Sequence, residues 1–265
     1  MLVSFLVLLG FGCLTGVTTV LFGFGGGFII VPVVFAVVAA TTGADAMHTA
    51  VATSTAVMIV NASTATLAQA RSGRLRKEHL HPLAEFIALG AVLGAVAATW
   101  APDALLRLLF IGYLAITIAD SLLRRGFLDN GGRGRPLGKA ASTAGGVGIG
   151  AVASFLGVGG SVLTVPLLRR RGLPMADAAA MANPLSVPVA VAGTAVYALA
   201  TPATAYPGQL GHVNVVVAVA LLCGSMPTIA VVKRLVGKIP DRVHAIAYLV
   251  LLVIVLIAMV VTAFA

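Results

Sequence analysis

The chain has 265 residues, of which 60% are hydrophobic and only 9% charged, with a formal net charge of +9. A soluble domain of ordinary composition carries about 25% charged residues, so a soluble globular protein is excluded, and apolar runs of roughly 20 residues require membrane helices rather than barrel strands. The surplus Lys and Arg fall between the apolar runs, as loops on the cytoplasmic side of a membrane do, so neither a nucleic-acid partner nor a cofactor is expected.

No charged residue occurs from Met1 to Ala44. The first apolar segment, 2–22, has no basic region ahead of it, and a cleaved signal peptide is not expected. It runs into GFGGGFIIVP, Gly23 to Pro32, with four glycines in five residues, and then into the apolar segment 28–40. Further apolar segments are 47–69, 80–100 and 104–123. A polar linker, 124–139, separates these from 140–156, 160–168, 175–200, 213–231 and 243–264. Cys13 and Cys223 lie inside apolar segments with no His or acidic residue nearby in sequence. They read as small packing residues, with neither a disulfide nor a metal site.

The cations fall into four groups: Arg71, Arg74, Arg76 and Lys77; Arg124, Arg125, Arg133, Arg135 and Lys139; Arg169, Arg170 and Arg171; Lys233, Arg234, Lys238 and Arg242. These are 16 of the 17 Lys and Arg, leaving only Arg107. Placing the four groups in the cytoplasm puts every other loop and both termini outside, in a multi-pass protein of the plasma (inner) membrane. Lys139 and Arg169 then share a side, although two apolar segments lie between them. Nine residues of helix, 160–168, rise only about 14 Å, against a hydrocarbon core of about 30 Å. The segment 140–168 is therefore predicted to be a re-entrant hairpin that turns at its glycines. By symmetry 2–40 is a hairpin from the other face, although its first leg is long enough to cross fully.

The second glycine stretch, GVGGSVLTVP from Gly157 to Pro166, repeats the first. Gly16 and Gly150, like Pro32 and Pro166, are 134 residues apart; Gly73 and Gly211, like Asp103 and Asp241, are 138 apart. The chain divides into an N-terminal repeat, 1–123, the linker 124–139 and a C-terminal repeat, 140–265, each a hairpin plus three spans. Three is odd, so the halves point in opposite directions. The fold expected is an all-α polytopic membrane protein with an inverted-topology repeat, an architecture of secondary transporters. The doubled GxGGG…VP element, the ATS of Ala52, Thr53 and Ser54, and the basic loops resemble the TauE/SafE family of sulfite and sulfonate exporters over nearly the whole chain. The resemblance implies export of a small sulfur oxyanion. Two positions depart from the doubled pattern: Ser161 replaces Gly27, and the ANP of Ala182, Asn183 and Pro184 replaces ATS.

Half-helices starting at Phe28 and at Ser161 would aim their N-termini at the membrane centre, where unpaired N–H groups and the positive dipole end attract an anion without Lys or Arg. Gly25, Gly26, Gly27, Gly159 and Gly160 would let it approach the backbone; alternatively these glycines serve only helix packing. Thr53 and Ser54 offer hydroxyls, which can instead bond to their own helix. Asn61 and Asn183 offer amides, and Pro184 and Pro188 interrupt their helix. Asp103 and Arg107, four apart, are expected to pair at the outer surface. Asp45 and His48 are candidates for proton coupling; His79, His81, His212 and His244 receive no role.

The partners expected are a small anion and the lipid bilayer, and a homo-oligomer is compatible with the sequence. A negative interior drives each negative charge outward by about 2.3 kcal/mol per 100 mV, and the shortage of buried acids fits passive export better than the alternative, a proton-coupled importer of a related small organic or sulfur-containing anion. An intramembrane enzyme using Ser161 would need a base within reach, and no His lies inside a predicted span. A channel would show charged rings or a filter, which the sequence lacks.

Overall fold

The computed structural model describes residues 2–41, 45–73, 75, 80–123, 127, 138–202, 207–234 and 239–264. Most of the linker 124–139 lies outside the described residues, as do Arg74, Arg76, Lys77 and Lys238 of the basic groups.

Backbone polar groups inside a bilayer have no water to bond, so an apolar run closes its hydrogen bonds within itself as a helix. The helices are α1 (Leu2–Phe22), α2 (Gly27–Thr41), α3 (Ala46–Arg71), α4 (Leu83–Thr99), α5 (Asp103–Leu123), α6 (Lys139–Ser142), α7 (Ala144–Leu156), α8 (Ser161–Arg170), α9 (Met175–Leu199), α10 (Val215–Val232) and α11 (Asp241–Phe264). A short antiparallel ribbon, β1 (Gln209–Leu210) and β2 (Val213–Asn214), precedes α10. Six of the described helices are long and apolar enough to cross a membrane: α1, α3, α5, α9, α10 and α11. The segment 80–100, expected as a full span, gives only the 17 residues of α4, because Pro82 stands ahead of the first turn and Trp100 ends the helix. That helix is about 25 Å long.

Both glycine stretches break their helices. Gly23, Gly25 and Gly26 have φ of 75°, 62° and 91°, and Gly157 and Gly159 have 68° and 64°, a region that side chains with a Cβ rarely enter. The legs of the second hairpin, α7 with 13 residues and α8 with 10, are both too short to cross. In the first pair α1 has crossing length and α2, with 15 residues, does not.

The packing comes in matched pairs. Helix α1 runs along α10 and α4 along α7; α2 lies on α3 and α8 on α9; α3 and α9 pack together at the centre. Glycine makes the long crossings close. A Cβ added at Gly90 would lie 2.0 Å from the Val147 carbonyl oxygen, and one at Gly224 would lie 2.2 Å from that of Leu9. Small residues that let backbones touch are the usual basis of helix association in lipid.

Two carboxylates fix the starts of the central helices. Asp103, first in α5, accepts from the Met47 amide at 2.9 Å and the His48 amide at 3.3 Å, at the start of α3. Asp241, first in α11, accepts from the Met175 amide at 2.6 Å, at the start of α9. Negative charge belongs at a helix N-terminus. Asp103 thus serves α3 in place of the Arg107 partner expected for it, and the Arg107 guanidinium lies 5.9 Å over the Phe35 ring.

Candidate functional site

The two glycine turns touch at the centre of the fold. A Cβ added at Gly27 would lie 2.8 Å from the Gly157 carbonyl oxygen. Ser54, on α3, donates from Oγ to that same carbonyl at 2.7 Å and lies 3.1 Å from the carbonyl of Gly27. Its hydroxyl therefore ties one turn to the other, rather than bonding back to its own helix. One helical turn further on, the Met58 side chain fills the gap between them. A Cβ at Gly25 would lie 2.6 Å from Met58 Cγ, and one at Gly159 would lie 2.7 Å from its Sδ. Methionine is unbranched and adapts readily to such a gap.

Each turn opens a half-helix. The amides of Ile29 and Ile30 bond back to Gly26, and those of Leu163 and Thr164 to Gly160. The amides just ahead of them, at Gly27 and Phe28 and at Ser161 and Val162, are helix-start donors with no acceptor inside their own helix. Both positive dipole ends thus point into one region.

Polar side chains supply further donors there. Asn61 accepts at Oδ1 from the Ser225 hydroxyl at 2.7 Å, whereas its Nδ2 is buried without a partner. A Cβ added at Gly26 would lie 2.7 Å from that Nδ2, so the idle amide faces the first turn. At the second turn the Ser161 and Thr164 hydroxyls are also buried without partners. Each unsatisfied buried group costs about 1–3 kcal/mol.

Of the other two polar candidates, Thr53 bonds away from the turns, whereas Asn183 shares the Thr19 carbonyl with the Gly23 amide at the entry to the first turn. Thr53 Oγ1 accepts from the Asn214 amide at 3.0 Å. Asn214 in turn caps α10 by accepting from Val217 at 3.0 Å. Asn183 donates from Nδ2 to the Thr19 carbonyl at 3.1 Å and toward Gln69 Oε1 at 3.4 Å, while its Oδ1 is buried without a partner. Gln69 lines a cavity of about 280 Å³ together with Arg71, Ser72 and Lys233. Sequence reasoning passed over Gln69. A lone glutamine near a helix end reads as a surface residue until the packing buries it.

At the opposite end of α3, His48 places Nδ1 against the Asp103 carboxylate and Nε2 3.0 Å from the Ala98 carbonyl. The His212 ring lies 5.2 Å away, centroid to centroid. Ligand atoms of Asp45, His48 and Asp103 fall within 4.8 Å of one another. Nδ1 and the carboxylate are hydrogen-bonded directly to one another, and the group forms a clasp between α3 and α5. Burial pushes the His212 imidazole below its ordinary value of 6.5; His48 acts in the same sense, and Asp45 and Asp103 oppose it. The sequence separation of 164 residues between His48 and His212 hid this contact.

A centre of helix ends and buried amides, enclosed by apolar helices long enough to span a bilayer, defines a multi-pass membrane protein with a polar interior. The chain belongs to the sulfite exporter TauE/SafE family, whose family model matches residues 8–259. That is a family of transporters, not of enzymes. Comparisons with curated proteins and with solved structures gave no match.

Proposed function

We propose that this protein exports a small sulfur oxyanion, such as sulfite or a sulfonate, by alternating access at the paired glycine turns. The observation that carries the reading is the buried, partnerless Nδ2 of Asn61 facing Gly26. Two helix starts and an idle amide present donors in one place, and an anion with several acceptor oxygens is the ligand that satisfies them. The amides of Gly25, Gly26, Gly27 and Phe28 form one wall and those of Gly159, Gly160 and Ser161 the other. Ser54 holds the walls together, and Met58 occupies the space until the anion displaces it. Thr53 keeps α10 in register with α3, and Asn183 acts on the side toward the Gln69 cavity.

Alternating access needs two halves that exchange roles, and the inverted repeat of 1–123 and 140–265 supplies them. The matched packing supports it: α1 on α10 answers α4 on α7, and Asp103 on α3 answers Asp241 on α9. With the basic groups in the cytoplasm, both termini face outward and the membrane potential favours outward movement of the anion.

The test is sulfite flux in proteoliposomes. Asn61→Ala removes a hydrogen bond to a charged group, contributing roughly 1.5–3 kcal/mol, so the half-saturating concentration should rise about ten- to a hundredfold. Gly26→Val, at φ 91° and against Asn61, should abolish flux. Wild-type kinetics in Asn61→Ala would remove the turns from the transport route.

A further inference from the structure

The cavity beside Gln69 is bounded by α1 and α3 and by Lys233 at the end of α10. Its polar character follows from one backbone atom. The Thr19 carbonyl can only accept, so the Asn183 atom 3.1 Å from it is the donating Nδ2. The second hydrogen of that amide is directed at Gln69, 3.4 Å away, which therefore presents Oε1 to Asn183. The other terminal atom of Gln69, Nε2 with its two hydrogens, is left for the cavity. Gln69 is only 6% exposed, so this donor is held in place rather than waving in solvent.

We infer that this cavity is a loading site for the transported oxyanion, with Gln69 Nε2 as the donor at its floor and Arg71 and Lys233 as the cations at its rim. The inference rests on the oxyanion reading above. Among the described residues the lining offers a guanidinium, an ammonium and an amide N–H, and no carboxylate. Such a lining favours a small ligand with negative charge and several acceptor oxygens over an amine or a metal cation. Rim cations alone would only follow the rule for cytoplasmic loops. A buried amide oriented into the cavity by a second buried amide has no part in membrane insertion. The position also suits relay. Gln69 and Asn61 lie eight residues apart on α3, about 12 Å along its axis, so an anion released by Gln69 moves along α3 to the donors at the Gly26 turn.

The experiment measures binding and transport separately. Binding of sulfite, and of methanesulfonate as an inert analogue, is followed by calorimetry on the full-length protein in nanodiscs. Sulfite flux is followed in proteoliposomes with the Gln69 side facing the substrate. Gln69→Glu keeps the shape, and at neutral pH turns the donor into an anion; it should raise the dissociation constant and the half-saturating concentration by tenfold or more. Arg71→Gln with Lys233→Gln touches only exposed residues, and each basic group keeps its other cations. It should raise both values severalfold at low salt and flatten their salt dependence. Unchanged values in Gln69→Glu and in the double variant would overturn the loading site while leaving transport at the turns intact. Gln69-dependent binding in a wild-type protein that shows no flux would support the cavity and overturn the transport reading.

Discussion

The starts of α3 and α9 are held by the same device, completed with different chemistry. At each, an aspartate from the first position of a later helix accepts from the helix-start amides: Asp103 for α3 and Asp241 for α9. At α9 the partner of the carboxylate is Arg169, whose Nη1 donates to Asp241 at 2.7 Å and whose Nε donates to the Phe127 carbonyl at 3.0 Å. At α3 the partner is His48, which also reaches Ala98 and lies beside the tilted ring of His212. Arginine carries its charge at every accessible pH, whereas a group of histidines changes its charge within the physiological range. One clasp is therefore permanent and the other is built from titratable groups, even though both use an aspartate at the first position of a later helix.

The largest effect expected from this contrast is at Arg169. Its side chain is fully buried and donates to the Phe127 carbonyl and to Asp241, so Arg169→Leu removes two hydrogen bonds made by a charged group and should cost about 3–5 kcal/mol. The thermal unfolding midpoint in detergent should fall accordingly, and a wild-type midpoint would mean that the second clasp is ornamental. His48→Leu should cost less, about 1–3 kcal/mol, because Asp103 keeps two backbone donors. If the two variants proved equal, the distinction between the clasps would fail.

Asp241→Asn and Asp103→Asn sharpen the same comparison at the acceptor. Asp241→Asn leaves a buried guanidinium without its counter-charge, and should destabilise more than Asp103→Asn, by about 1–2 kcal/mol. The reverse order in matched unfolding curves would assign the greater role to the histidine side.

The smallest effect is pH dependence through His212. Its folded value lies below the ordinary 6.5, so the folded state prefers the neutral ring. Well above that value both states are neutral and His212 contributes no slope. As the pH falls through it, the unfolded chain takes up the proton first, and stability declines until the folded ring titrates too. Midpoints measured from roughly pH 7.5 to 5 should show this decline in wild type and a shallower one in His212→Gln. Equal slopes would take His212 out of the first clasp.

Much of this architecture is legible along the chain, because the constraints behind it are local. The apolar runs become helices since lipid offers the backbone no other partner, and the glycine stretches break them since only glycine settles at those φ values. The break within 140–168 follows from its glycines, and its two legs are too short to cross. The reading is weaker where a helix end depends on one residue: Pro82 shortened α4 below the length expected for it. It is weakest for polar side chains. Asp103 and Arg107 looked like a pair because they are four residues apart, yet the carboxylate turned to α3, where a helix start offered it two amides.

The sequence by itself determined the class of protein, the doubled glycine turns and the residues with donors to spare, because hydropathy, backbone conformation and side-chain chemistry belong to each residue. Only the tertiary structure decided what each donor faces. Ser54 bonds to a carbonyl 103 residues away, Asn61 is left idle against Gly26, and Asn183 is committed to Thr19 and directed at Gln69. A hydrogen bond is a matter of a few ångströms and a direction, and those are set by how helices cross in space, which no spacing along one helix records.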